Sequence, residues 1–467
     1  MSNSSKFSGI SSKYVALIEV SAYLSIVFVS ASFAVVGLLP LPACVCLTSL
    51  LLISLLFLSW YRFDGGRHPC FLFLGMLLLF QGGRLIGYLF GVTVDPMMIV
   101  AETDIPLSVK PGSAQLTLLI LCLSAVCVYL PCRLNYERAL FHPGREMRWM
   151  SAITALALIT TPFSIYKNLK YLLFIRAHGG YLAIYTDSAE LLQSVGTIIR
   201  ALSLINVTAI MLAYVLERRP RRLKVILILF LALSTLDLLI GFRGKFFTEI
   251  LALWFIHNLK TGRRFRLPRL MFACALISLV AIVASAFREE SSVAMLSPVG
   301  FVAQQGISLN VTEAAVEFRH RFEKYGAGYV WGGFVNGLVP QGARPGTDWS
   351  ADLSTFLNAQ AAAMGFGTAS SYLAELFLFG GIAGVVIGSL AIGYCCSVLQ
   401  HISSQAWGAV ILAFVLPSLI YLPRLELLNP LAMLIKALVS LVVVAAFVVI
   451  WNSSTALLRA ASRHSLS

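Results

Sequence analysis

Apolar runs of about 17 to 25 residues, the length a helix needs to cross a bilayer core of about 30 Å, recur along the whole chain. The pattern predicts twelve spans, near 15–38, 41–59, 69–92, 114–131, 149–165, 197–216, 225–241, 246–259, 269–287, 372–394, 406–422 and 430–451. The pair flanking the short Gly241–Phe246 connection is the least distinct. The first span follows a polar segment and is too long for a signal-peptide core, so it is expected to be retained. One stretch departs from the pattern: from Arg288 to Ser371 lie about eighty residues of mixed polarity without cysteine. The expected fold is therefore an all-α polytopic membrane protein in three parts. Residues 1–287 carry nine spans, 288–371 form a large and partly helical loop, and 372–467 carry three spans and a tail.

Composition agrees. The 467-residue chain is 58% hydrophobic and 12% charged, with a mean hydropathy of +0.85, which excludes a soluble globular domain. The formal net charge of +14 is unevenly spread. Alternate connections hold Arg133, Arg138, Arg145 and Arg148, then Arg218 to Lys224, then Lys260 to Arg269. By count, that side carries 20 of the 35 basic residues and four of the 21 acidic ones. The positive-inside rule makes it cytoplasmic, with both termini, so the 288–371 loop faces outward. The positive charge is then a topology signal and implies no nucleic-acid partner.

The cysteines lie in spans or at their ends, so no disulfide framework is implied. No Cys/His spacing reads as a zinc site, and Cys395 and Cys396 are adjacent, so no structural metal is expected. The cytoplasmic connections hold no Gly-rich phosphate loop and no room for a nucleotide-sugar domain. Group transfer would then draw on a donor already in the membrane, with a lipid-linked one the obvious candidate.

Charges within spans are costly and are usually paired or functional. Arg84 (in Gln81-Gly-Gly-Arg), Arg200, Asp237, Glu249, Glu375 and Lys436 fall in the outer halves of their spans. Arg243, Lys245, Arg424 and Glu426 sit in short outward turns. Snorkelling accounts equally well for Lys436 and Arg200, and Asp237 could pair with Arg243. Together the groups suggest a polar cavity open to the outer leaflet. In the loop, Val311, Ala315, Phe318 and Phe322 follow helical spacing, which predicts an amphipathic helix over 311–324. Glu313, Glu317 and Arg321 would form a row on another face, for which ordinary helical salt bridges are an equal reading. Arg319, His320 and Arg321 are three consecutive groups able to hold phosphate or sugar oxygens. His320 could serve as a general base. Trp331 and Trp349 are available to lie against sugar rings.

The segment Gly365-Phe-Gly-Thr-Ala-Ser-Ser-Tyr-Leu-Ala-Glu375-Leu-Phe-Leu-Phe-Gly380-Gly381-Ile-Ala-Gly384 resembles the end of the large periplasmic loop, and the helix after it, of the O-antigen (oligosaccharide repeat-unit) polymerase family, Wzy. The turn Ile240-Gly-Phe-Arg243-Gly-Lys245 is similar to a short Arg-Gly turn of that family. An Arg-x10-Gly pattern associated with its periplasmic loops runs from Arg321 to Gly332, but the earlier loop departs from it, since Arg176 meets Asp187 at that spacing.

The resemblance implies a GT-C-like glycosyltransferase of the bacterial inner membrane, working on the periplasmic side. It would move a growing glycan from undecaprenyl pyrophosphate to a lipid-linked repeat unit, with a chain-length regulator and a flippase as partners and no cofactor. The pyrophosphate leaving group needs arginines. Arg243, Arg288, Arg319, Arg321 and Arg344 are the first candidates, with Lys245 beside Arg243, and Arg84 and Arg424 behind them. The acceptor hydroxyl needs a base, for which His320 and Glu375 are the alternatives. Glu375 could instead hydrogen-bond into the loop that precedes it. No metal is called for. An O-antigen ligase shares this architecture and donor. A flippase or transporter would be expected to show internal repeats and midplane charges, and an organiser of an export assembly is a third reading.

Overall fold

Proline and glycine punctuate the helices. The computed structural model describes residues 39–92, 99–100, 106–107, 110–136, 149–178, 183–266, 297–339, 348–363, 367–368 and 370–464, with scattered positions in 15–26 and 268–279. In chain order the main helices of the first part are α1 (Leu41–Arg62), α2 (Pro69–Phe80), α3 (Gly83–Leu89), α4 (Pro111–Leu134), α5 (Met150–Ala177), α6 (Thr197–Leu216), α7 (Pro220–Ile240) and α8 (Arg243–Thr261). After them come α9 (Pro298–Gln305), α10 (Ser308–Glu317), α11 (Gly326–Leu338), α12 (Trp349–Leu357), α13 (Tyr372–Ile402), α14 (Ala406–Tyr421) and α15 (Asn429–His464). A minimal antiparallel pair, with Ile99 opposite Leu107, precedes α4. Proline opens α2, α4, α7 and α9, where its missing N–H has no helical partner to lose. Gly241 and Gly262 close α7 and α8 in the left-handed conformation, with φ of 106° and 67°.

Among the described residues, seven helices are long and apolar enough to cross a membrane: α1, α4, α6, α7, α13, α14 and α15. The α2–α3 pair makes an eighth candidate, bent by 52°. Of the other expected spans, α5 and α8 occupy 149–165 and 246–259 but carry charges such as Lys167, Lys170, Lys245 and Glu249, and they are not among the seven. The spans expected at 15–38 and 269–287 fall largely outside the described residues. Burial separates centre from periphery. The apolar windows of α14 and α4 are 78% and 67% buried, against 22% for α7 and 28% for α15, which leave most of their surface for lipid.

One apolar core runs through the bundle, with Leu55, Leu77, Leu121, Tyr372 and Leu416 fully covered. The late polar stretch builds a second, small core from Val311, Ala315, Phe322, Tyr329, Trp349 and Leu353, closed by Ala374 and Leu378 of α13. The large loop thus docks on the start of α13.

Two expectations change here. The helix expected over 311–324 breaks at Phe318, which leaves helical geometry with φ of −100°, and Arg319–Phe322 makes a separate turn. Glu313 is consequently buried rather than on a wet face, and accepts a bond from Asn310 Nδ2 at 3.3 Å. Trp349 is not free for sugar. It is fully buried, 5.0 Å from Phe322 and 5.7 Å from Tyr329 between ring centroids, because the loop needs a large side chain at its own centre. Trp331 remains exposed.

Candidate functional site

The break between α2 and α3 falls at Gln81 and Gly82. Unwound backbone at membrane depth is tolerated only where protein or a cavity supplies hydrogen-bond partners, and Gln81 is fully buried. Its Nε2 donates to Ser371 Oγ and to the Pro423 carbonyl, both at 3.0 Å, while its Oε1 accepts from Thr312 Oγ1 at 3.3 Å. Thr312 and Ser371 are themselves 3.0 Å apart. One side chain so ties the broken span to α10, the start of α13 and the α14–α15 connection.

Glycine lets the broken span meet α9 backbone to backbone. A Cβ on Gly306 would lie 2.1 Å from the Arg84 nitrogen, and one on Gly83 would lie 2.4 Å from the Val302 oxygen. The contact sets the Arg84 backbone against Gly306, the residue after Gln305. Arg424 reaches the same corner, its Nη1 donating to Gln305 Oε1 at 3.0 Å and its guanidinium lying over Phe80 at 5.7 Å. Phe80 meets Tyr421 edge-on at 4.9 Å, and Tyr421 leaves room only for glycine at Gly244, where a Cβ would come within 2.6 Å of the hydroxyl. The Arg243-Gly244-Lys245 turn therefore abuts this corner. Lys245 is engaged there, with Asp237 at 2.7 Å and Glu249 at 3.7 Å, so Asp237 takes Lys245 as its partner.

Glu375 is fully buried on the first turn of α13. One oxygen accepts from Ser370 Oγ at 3.0 Å, the other from the Leu427 backbone N–H at 2.8 Å. The carboxylate thus joins the end of the loop to the α14–α15 connection. Gly333 packs there as well: a Cβ on it would come within 2.6 Å of Glu426 Cβ.

Arg319, His320 and Arg321 lie beyond the break at Phe318. Arg319 pairs with Glu323 at 2.9 Å, and its guanidinium lies over Phe377 at 5.3 Å, near the kink where Gly381 takes φ of 60°. Arg321 lies over Phe356 at 4.4 Å. The His320 side chain is 98% exposed, with Glu323 3.9 Å away. Arg288 and Arg344 lie outside the described residues, as does the side chain of Arg243.

The arrangement brings Arg424 and the Arg84 backbone close to the buried hydrogen-bonded cluster around Gln81. That suits an anionic, hydroxyl-rich ligand entering from the bilayer. Sequence reasoning singled out Arg84, Arg424 and Glu375 but missed Thr312, Ser371, Gln305 and Tyr421. Gln81 did carry a signal, as an amide followed by two glycines inside an apolar run.

A model of the O-antigen polysaccharide polymerase Wzy family matches residues 16–454, nearly the whole chain. The chain belongs to the Wzy family. No curated protein and no solved structure matches it. As a Wzy protein it is a multi-pass membrane polymerase, acting on lipid-linked oligosaccharide repeat units.

Proposed function

We propose that this Wzy protein lengthens a surface polysaccharide on the outer side of the bacterial inner membrane. It transfers the growing glycan from undecaprenyl pyrophosphate to the non-reducing end of a new lipid-linked repeat unit. The bond between the anomeric carbon and the pyrophosphate oxygen breaks, and its electron pair leaves with undecaprenyl pyrophosphate. The acceptor hydroxyl oxygen bonds to that carbon and gives its proton to a base.

The observation that carries this reading is the meeting of Arg84, Arg424 and the Arg243 turn at one corner, under a loop docked on α13. Arginines at that depth offset the charge developing on the leaving pyrophosphate. Arg319 and Arg321 extend the cationic surface toward the glycan, and Arg288 and Arg344, which belong to the same stretch of sequence, are assigned to the same ligand. His320 is assigned as the base because it is open to an incoming hydroxyl. Both oxygens of Glu375 already hold donors, so it is assigned to positioning. The membrane domains 1–287 and 372–467 would then flank a periplasmic loop, with both termini in the cytoplasm.

The test is the length distribution of surface polysaccharide in Arg424→Ala and Arg321→Ala strains. Single repeat units in place of long chains are expected from both. Normal long chains from both would overturn the role of these arginines in holding the donor's pyrophosphate and glycan.

A further inference from the structure

At the opposite end of α2 from Gln81, three soft metal donors meet. His68, Cys70 and Cys132 each offer an atom within 4.8 Å of the other two, and all three residues are fully buried. They come from the connection before α2, the first turn of α2 and the last turn of α4. A further thiol lies just outside this trio. Cys396 of α13 is also fully buried and touches Cys132, so it would have to move toward His68 and Cys70 to become a fourth donor. None of these residues has a part in the polymerase site.

We propose that His68, Cys70, Cys132 and Cys396 bind a thiophilic divalent cation, Zn2+. Three thiolates and one imidazole are a tetrahedral zinc set, and metal–sulfur and metal–nitrogen bonds of about 2.3 and 2.0 Å put such donors about 3.5–3.8 Å apart. An ion would shorten the separations within the trio, up to 4.8 Å, by at most about 1.3 Å, a shift within side-chain reach.

Three features favour an ion over plain packing. His68 Nδ1 accepts from the Cys70 N–H at 3.2 Å, while Nε2 is buried with no hydrogen-bond partner. A buried polar atom left so is costly. Cys70 is the second residue of α2, within the first turn where a helix N-terminus carries partial positive charge. Finally, α4 and α13 are locked together at this level. Cys132 Sγ donates to the Gly393 carbonyl at 3.2 Å, and a Cβ on Gly393 would come within 2.3 Å of the Val128 oxygen.

Binding replaces three S–H bonds by three S–Zn bonds and releases three protons. Ligation through Nε2 moves the ring proton to Nδ1 and gives up the contact from Cys70. The ion would staple α2, α4 and α13, the helices whose far ends carry Gln81, Lys110 and Glu375. It would hold the floor of the candidate site from the other side of the membrane.

The full-length protein is purified in detergent without chelator, and its metal content is measured by plasma mass spectrometry. About one zinc per chain is expected. The protein stripped of metal is then titrated with Co2+ alone. Sulfur-to-cobalt charge-transfer absorption is expected, together with the ligand-field bands of a tetrahedral ion. Cys132→Ser and His68→Gln should bind at least about a hundredfold more weakly. Where these variants fail to fold, the cobalt spectrum of the unaltered protein decides, because it reports sulfur ligation directly. The absence of zinc with a blank cobalt titration would overturn the site. So would an ion bound without charge-transfer bands, or one retained in both folded variants.

Discussion

Glu375 and Leu427 are joined across the bundle by a 2.8 Å hydrogen bond from backbone N–H to carboxylate. The bond links the first turn of α13 to the short connection between α14 and α15, and Ser370 takes the second oxygen. A buried carboxylate with both oxygens occupied is a tie between segments. Glu375→Ala leaves the buried Ser370 hydroxyl and the half-buried Leu427 N–H without their acceptor and should destabilise the protein by roughly 2–4 kcal/mol. Glu375→Gln keeps one acceptor and should cost about half as much. Thermal unfolding in detergent measures both. Full stability with abolished polymerisation in Glu375→Gln would instead make Glu375 the base.

His320 makes the contrasting case. Its side chain is exposed, so His320→Ala should leave stability within about 0.5 kcal/mol of the parent. If His320 takes the acceptor proton, polymerisation in a reconstituted assay should fall by about 10²–10⁴-fold. An unchanged rate would remove it from the mechanism.

The α3–α9 contact gives a steric prediction. A methyl group on Gly306 would collide with the Arg84 backbone, which cannot swing aside as a flexible side chain can. Gly306→Ala should force the helices apart, with a loss of about 1–3 kcal/mol and shortened polysaccharide. Arg84→Lys, made separately, keeps the glycine contact and the charge but loses the bidentate fork. It should shorten chains without lowering the melting temperature. Chain-length profiles beside melting curves distinguish the two effects.

Tyr329 titrates well above the usual tyrosine range, because burial and its 2.8 Å hydrogen bond to Asp352 both favour the neutral phenol. A folded-state pKa raised in this way stabilises the loop fully below the unfolded value, and the contribution is lost as pH climbs beyond it. Loop cleavage by protease should therefore accelerate above about pH 10. Tyr329→Phe should cost about 1–2 kcal/mol at neutral pH and remove that alkaline component. Cleavage with the same alkaline onset in both proteins would disprove the assignment.

Much of the membrane fold was legible from hydropathy alone, because a span is a local property: enough consecutive apolar residues to cover a helix. Seven of the expected spans appear as such helices. The 69–92 span gave notice of its bend through Gln81-Gly-Gly-Arg, where glycine and an amide interrupt the apolar run. The loop was harder to read. Its residues at helical spacing do share a core, but Phe318 ends the helix, so Glu317 pairs with Lys110 and Arg319 with Glu323. Trp349 looked like a sugar platform because aromatic residues read alike from sequence whether they fill a core or line a cleft.

By itself, then, the sequence determined the class, the polar loop before the last three spans and, through residues 16–454, membership of the Wzy family. Only the tertiary structure decided which distant residues meet. It set Thr312 and Ser371 on Gln81, bound Glu375 to Leu427, and gathered His68, Cys70 and Cys132 from separate segments. The reason is physical. Periodicity reports which face of a helix is apolar, whereas these meetings depend on which faces pack together, at what height and with how small a residue between them.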